Sequence, residues 1–251
     1  MRILICNDDG IDSPGLARLA AAARTISDDV WVVAPERKHT AAGPSLTMAE
    51  PITMRRTAER WYSCSGRPAD CVITAMTWLL TGDERPDLVL GGINDGRNVA
   101  EDLAYSGTLG IAREASFWGI PAIGFSQVKS PEIRPGDDAW LGGLIAGLWD
   151  KRGEWALEGH WLSINLPQAL PAEIRQPRIG RDKIARRSEV IEQDGDRTVL
   201  VVPRGRDRTT VDGDENSAID AGCITVNRIN WFGETPLDSA FLAGMAPTTP
   251  I

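Results

Sequence analysis

The sequence predicts an α/β fold, a mostly parallel sheet covered by helices, and three observations carry that prediction. Short apolar runs recur at Ile3-Leu4-Ile5-Cys6, Val30 to Ala34, Leu88-Val89-Leu90, Ala122 to Ser126 and Trp161 to Leu166. Stretches with apolar residues at helical spacing lie between them, and several runs stop abruptly in polar or glycine-rich segments. Consecutive apolar positions over so few residues read as strands buried on both faces, which a sheet sandwiched between helices requires.

Taken in order, the first run ends at Asn7-Asp8-Asp9-Gly10. Adjacent carboxylates repel, so a fold that keeps Asp8 and Asp9 close needs a cation or a proton between them. Hard oxygen ligands on a short loop suit Mg²⁺ or Mn²⁺; a solvated Asp-Gly turn is the other reading of the same residues. Pro14 to Ile26 carries Leu16, Leu19, Ala20, Ala23 and Ile26 at helical spacing behind a candidate Ser13 N-cap. With the run Val30 to Ala34 it completes a βαβ unit. Glu36 to Ser45 then leaves from the carboxyl end of the second strand, the edge where open α/β sheets bind ligands.

Ile52 to Arg56 and Trp61 to Ser65 read as short strands of a side hairpin, and Gly66-Arg67-Pro68-Ala69-Asp70-Cys71 opens a helix through Leu80. Asp87 to Leu90 is a third buried strand delivering Gly91 to Asn98 to the same edge. Tyr105-Ser106-Gly107-Thr108 precedes a helix from Leu109 to Trp118. Free N–H groups and hydroxyls there suit a phosphate oxygen, or Ser106 or Thr108 simply caps the helix. A strand from Ala122 to Ser126, a helix from Asp137 to Trp149 and a strand from Trp161 to Leu166 follow.

Beyond Pro167 the rhythm breaks. Ile179 to Ile191 and Thr198 to Pro203 read as a long hairpin, Arg204 to Asn216 as a polar loop, Cys223 to Asn230 as a last strand and Asp238 to Leu242 as a short helix. The expected organisation is a Rossmann-like three-layer αβα sandwich over residues 1–167. Residues 168–251 form a C-terminal hairpin and helix extension used in oligomerisation, as a homodimer or homotetramer.

The 251 residues suffice for one large domain, and 42% hydrophobic with 25% charged residues is the mix of an ordinary globular protein. A net charge of −8 argues against a bulk electrostatic grip on a nucleic-acid polymer or a membrane surface, while leaving local phosphate binding through a metal open. Cys6, Cys64, Cys71 and Cys223 show no metal-ligand spacing. No basic-then-apolar leader and no bilayer-length apolar stretch is seen, so the expectation is a reduced, cytoplasmic protein.

Five motifs run in order: Arg2-Ile3-Leu4-Ile5 with Asn7 to Ile11; Val33-Ala34-Pro35-Glu36-Arg37 leading to Gly43 and Ser45-Leu46-Thr47; Gly66 to Cys71; Gly92 to Asn98; and Tyr105 to Thr108. Together they resemble the SurE family, stationary-phase survival proteins that act as metal-dependent nucleoside monophosphate phosphatases. The resemblance runs from Met1 to about Pro167. It implies one divalent cation per subunit, Mg²⁺ or Mn²⁺, held by Asp8, Asp9, Thr40 and Asn94. It also implies a phosphate surrounded by Asn98, Ser106, Gly107 and Thr108, with Asp8 and Asp9 catalytic. The implied reaction is hydrolysis of nucleoside 5′-monophosphates, extending to 3′-phosphates and short polyphosphate. Attack by water and attack by Asp8 through a phospho-aspartate both fit these residues.

The chain departs from the family pattern at three places. Thr40 stands where serine is usual, keeping the hydroxyl but adding a methyl that restricts χ1. His39 stands where arginine is usual and is a candidate to approach the phosphate. Thr225-Val226-Asn227 replaces the usual Thr-Pro after the last strand. The rival readings are a non-enzymatic homologue that binds a nucleotide or protein, a receiver-type signalling domain and a dinucleotide binder. Receivers are about half this length and place a lysine after a later strand, which Ala122 to Ser126 lacks; dinucleotide binders need a glycine fingerprint that Asn7 to Gly10 does not supply.

Overall fold

The computed structural model describes residues 1–41, 43–182, 187–203 and 211–233. The first strand, β1 (Arg2–Cys6), lies inside a nine-stranded sheet, parallel to β2 (Asp29–Pro35) on one side and to β5 (Leu88–Asp95) on the other. Successive side chains of a strand point to opposite faces, and β1 shows the consequence. Ile3 and Ile5 enter one core, with Val30, Val32, Leu88 and Leu90, while Leu4 and Cys6 enter the other, with Val33 and Val89.

Helices cover both faces. On the Ile3 side lie α1 (Pro14–Arg24) and α5 (Asp137–Asp150), contributing Leu16, Leu19, Leu141 and Ile145. On the Leu4 side lie α2 (Pro68–Thr74) and α4 (Gly107–Phe117), contributing Cys71, Val72, Ile111 and Ala115. Three layers result, as the sequence predicts. The start of α1 follows from local chemistry: Ser13 Oγ accepts from Leu16 N at 3.4 Å, and Pro14 occupies the first turn, where no N–H partner is needed.

Several elements differ from their expected form. β3 (Met54–Ala58) and β4 (Trp61–Cys64) pair as a hairpin but do not stand aside, because β4 lies parallel to β2 and extends the main sheet. The helix that begins at Pro68 leaves α geometry after Thr74 and finishes as a π turn over Ala75–Leu79. β5 runs on through Gly91, Gly92 and Ile93 to Asp95, with a register shift against β6 (Ala122–Gln127) between Gly91 and Asn94. Two short helices, α3 (Asp102–Tyr105) and α6 (Arg152–Trp155), complete the connections to α4 and to β7 (His160–Leu166).

Past Pro167 the chain returns to the sheet. β11 (Ile224–Asn230) pairs antiparallel to β7, and β8 (Ile174–Arg175) pairs parallel to β11 at the sheet's edge. The expected hairpin, of whose first arm residues 183–186 lie outside those described, forms as β9 (Glu189–Asp194) and β10 (Arg197–Val201), which turn at Gly195 and make a separate two-stranded sheet. Of the expected polar loop from Arg204 to Asn216, residues 204–210 lie outside those described, and its end belongs to α7 (Glu215–Asp220), capped by Asp214 Oδ1 accepting from Ser217 N at 2.8 Å. The expected short helix from Asp238 to Leu242 falls outside the described residues. Among those residues no helix is long and apolar enough to cross a membrane, and the four cysteines are free and buried.

Sheet order fixes where a ligand can sit. From β1 the chain steps outward to β2, then returns to β5 on β1's other side and continues through β6 to β7. The order reverses between β1 and β5, and ligands of open α/β sheets bind outside the strand ends at such a point. Gly15 in α1 makes this close pairing of elements possible, since a Cβ there would fall 2.0 Å from the backbone oxygen of Ile93. Gly15→Ala is therefore expected to lower the unfolding free energy by about 1–3 kcal/mol in urea titration. Gly143→Ala, on an exposed helical position of α5 with open space around it, is expected to raise it by about 0.5–1 kcal/mol.

Candidate functional site

The carboxyl end of β1 carries Asp8 and Asp9 to the reversal point. Asp8 is 6% exposed, and its Oδ1 accepts from the Thr108 hydroxyl in α4 at 2.6 Å. Gly107 gives the carboxylate room, because a Cβ there would lie 2.8 Å from Asp8 Oδ2. Burial outweighs the Thr108 hydrogen bond, and with Asp9 alongside it pushes the Asp8 carboxyl up to about 6. Asp9 is held from the third loop and the second: its Oδ2 accepts from Asp95 N at 2.9 Å, and its Oδ1 pairs with the Lys38 ammonium. The same ammonium lies 3.8 Å from Asp95 Oδ2, and the Asp9 contact raises the Lys38 pKa.

The loop after β2 is tied to this pair through its backbone, His39 N donating to Asp8 O at 2.7 Å. Burial and the guanidinium groups of Arg37 and Arg67 lower the His39 pKa. From β5, Asn94 Nδ2 donates to Gly96 O at 2.7 Å, which leaves Asn94 Oδ1 as the oxygen available to a ligand. Asn98 is clamped at three points: its N donates to Asn165 Oδ1 at 2.8 Å, its O accepts from Asn165 Nδ2 at 3.0 Å, and its Nδ2 donates to Ser126 Oγ at 2.8 Å.

One cavity of about 990 Å³ is lined by Asp8, Asp9, His39, Thr40, Asn94, Asn98 and Ser106, so seven of the nine sequence candidates share a single space. Gly107 and Thr108 do not line it; they stand behind Asp8, Thr108 being fully buried. Ser106 caps α4, its Oγ accepting from Leu109 N at 3.1 Å, which leaves the hydroxyl proton free to be donated into the cavity. A second cavity of about 690 Å³ shares Asp9, Lys38, Asn94 and Asp95 with the first, so the Lys38 pair stands between the two.

Sequence reading missed the groups that hold the loops. Asn165 is the last residue but one of the buried strand β7, and that polar residue in an apolar run was the available signal for it. Lys38 and Ser126 gave none. Glu215, 1% exposed, accepts from Ala100 N and Gly180 N at 2.6 Å each, with its pKa raised by burial. Arg97 donates to Asn216 Oδ1 at 3.1 Å and to Asp220 Oδ1 at 2.8 Å. Residues of α7 thus fix the loop that presents Asn98, and Asn216 itself lines the cavity. Its Nδ2 is buried with no hydrogen-bond partner among the described residues, an arrangement that costs about 1–3 kcal/mol.

The family model described as survival protein SurE matches residues 3–189. The chain belongs to the SurE family. It is 39% identical over 236 residues to 5′-nucleotidase SurE of Paramagnetospirillum magneticum, covering 90% of this chain and 88% of that one. It is 36% identical over 244 residues to 5′-nucleotidase SurE of Brucella canis, covering 92% of each. Its fold matches the crystal structure of the SurE protein from Aquifex aeolicus with a TM-score of 0.74 at 29% identity, over 97% of both chains. Likeness to SurE proteins therefore extends well past Pro167, where the motifs become sparse.

The protonation of Asp8 makes this SurE chain's stability depend on pH. The folded carboxyl titrates near 6 and the unfolded one near an ordinary aspartate value, so the folded state holds the proton longer. Stability of EDTA-treated protein should fall as pH rises through that window and level off above it. Asp8→Asn should raise the unfolding free energy at pH 7.5 by about 2–3 kcal/mol and change it little at pH 4, as read from urea titrations at the two pH values.

Proposed function

We propose that this chain is a divalent-metal-dependent phosphomonoesterase acting on nucleoside 5′-monophosphates. The observation that carries the reading is the convergence of Asp8, Asp9, Asn94 and Thr40, from three loops, on one cavity at the sheet's reversal point. The relatives that match over about nine-tenths of the chain are 5′-nucleotidases by name. The donor set fits a hard cation. Two carboxylates offset a double positive charge, and Asn94 Oδ1 and the Thr40 hydroxyl add neutral oxygens. The Lys38 ammonium on Asp9 marks where positive charge is already favoured. Among the described residues no three His, Cys, Asp or Glu side chains gather as a metal group, so affinity depends on these neutral oxygens as well as the aspartates.

When bound, the cation polarises a phosphoryl oxygen and lowers the pKa of a water. The protein's own groups do the rest. Thr108 fixes the orientation of Asp8 through Oδ1, and Asp8 and Asp9 orient the attacking water. Ser106 donates its hydroxyl proton to a phosphate oxygen as charge develops there. Asn98, clamped by Asn165 and Ser126, contacts the transferring group without having to be ordered at the moment of reaction. His39 acts as a neutral wall of the phosphate site rather than as an acid.

Assembly is part of the proposal. β9 and β10 expose Val190, Ile191, Leu200 and Val201 on a two-stranded sheet, and a lone hairpin is marginal in water. A second copy covering it, in a homodimer or homotetramer, accounts for that apolar surface.

Asp9→Asn should abolish Mn²⁺-stimulated release of phosphate from AMP while leaving the circular dichroism spectrum unchanged; full activity in that variant overturns the reading. Lys38→Ala removes the charge that competes for Asp9, and should tighten Mn²⁺ binding by about two- to fivefold in titration calorimetry. Weaker binding in Lys38→Ala would show that the ammonium does not sit at a cation position.

A further inference from the structure

The geometry assigns Asn216 as a donor to the nucleoside half of the substrate, a role that rests on the nucleotidase reading and goes beyond it. Four observations lead there. Asn216 lines the cavity that holds Asp8, Asp9 and Asn98, yet it comes from α7, far along the chain from every motif that meets the phosphate. It is 3% exposed. Its carboxamide orientation is set, because Oδ1 accepts from Arg97 Nη1 at 3.1 Å and a flipped amide would bring two donors together. Its Nδ2 is then left buried with no acceptor among the described residues.

A buried amide donor without a partner is unfavourable, and one in the wall of a substrate cavity is satisfied when an occupant brings an acceptor to it. Asp8 and Asp9 answer the cation and Ser106 the phosphate, and an uncharged donor such as the Asn216 amide matches a neutral acceptor on the leaving group. In a nucleoside that acceptor is a ribose hydroxyl oxygen or a carbonyl or ring nitrogen of the base. Val202 and Pro203, which also line the cavity, supply apolar surface beside it. A site that offers a hydrogen bond to a substrate group discriminates strongly against substrates that lack the group, because the protein donor is then left unpaired.

Asn216 also holds Arg97, so the test must separate donor from brace. Asn216→Asp keeps the acceptor for Arg97 and removes only the N–H donor. With Mn²⁺ present, kcat/KM is measured for AMP, 2′-deoxyAMP, ribose 5-phosphate and p-nitrophenyl phosphate, and adenosine binding is measured by calorimetry. In Asn216→Asp the AMP to p-nitrophenyl phosphate ratio of kcat/KM is expected to fall about tenfold, mainly through KM, with adenosine binding weakened by a similar factor. If the acceptor is the 2′-hydroxyl, 2′-deoxyAMP is already poor in the wild type and insensitive to the substitution. If it is another sugar oxygen, the effect persists in ribose 5-phosphate, and if it is on the base, the effect is lost there. An unchanged ratio and unchanged adenosine binding in Asn216→Asp overturn the assignment, and equal loss on all four substrates in Asn216→Ala with none in Asn216→Asp reduces Asn216 to a brace for Arg97. A wild-type chain that hydrolyses p-nitrophenyl phosphate but binds no adenosine also overturns it, whereas one that hydrolyses none of the four overturns the nucleotidase reading beneath it.

Discussion

Asp8 and Asp9 are neighbours in the chain at the end of a buried strand, so their repulsion is built in covalently and packing can only compensate for it. The surrounding structure does so piecemeal. Thr108 donates to one carboxylate, Asp95 N and the Lys38 ammonium serve the other, and Gly107 keeps a side chain out of the space Asp8 needs. The compensation is incomplete, since Asp8 still titrates near 6 because burial outweighs its single side-chain donor. A residual demand for positive charge at the reversal point of a parallel sheet is what a cation site needs. The same demand costs stability as long as no cation meets it.

Much of the fold was legible because it depends on period and punctuation. Every strand of the parallel core announced itself as an apolar run, and α1 was delimited by Ser13 and Pro14 at its start. The topological argument then placed the loops after β1, β2 and β5 at one edge without any knowledge of contacts. Local signals failed where tertiary pairing decides. β4 reads as half of an isolated hairpin, and only its pairing with β2 makes it part of the main sheet. α7 is six residues long and polar at most positions; it forms because Asp214 caps it and Glu215 is drawn into two backbone donors more than thirty and a hundred positions away.

The candidate site divides along the same line. Asp8, Asp9 and Ser106 sit at a strand end or a helix start and could be found from the residues themselves, and Thr40, His39, Asn94 and Asn98 followed from the family resemblance. What sequence could not supply was the direction of each group. Thr108 and Gly107 belong to the same four-residue motif as Ser106, yet about half a turn of helix puts Ser106 in the cavity wall and Thr108 behind Asp8. The family resemblance made all three phosphate ligands, whereas the hydrogen bond from Thr108 makes it a support for a carboxylate.

The C-terminal residues change how the site is understood. Asn98 is exposed to two kinds of restraint, one from the sheet through Asn165 and Ser126, the other from α7 through Arg97 and through Glu215 on Ala100. Buried hydrogen bonds of this sort stabilise little on balance but are costly to break, so they favour one loop conformation over others more than they favour folding. Any ligand that meets this loop gains from that, because an ordered loop loses less entropy on binding. Since α7 both sets the loop and lines the cavity, sequence change in α7 can alter one wall of that cavity while Asp8, Asp9 and Asn94 stay as they are. A departure after Pro167, such as Thr225-Val226-Asn227, leaves the aspartates at the base of the cavity untouched, because β1 sets where they stand.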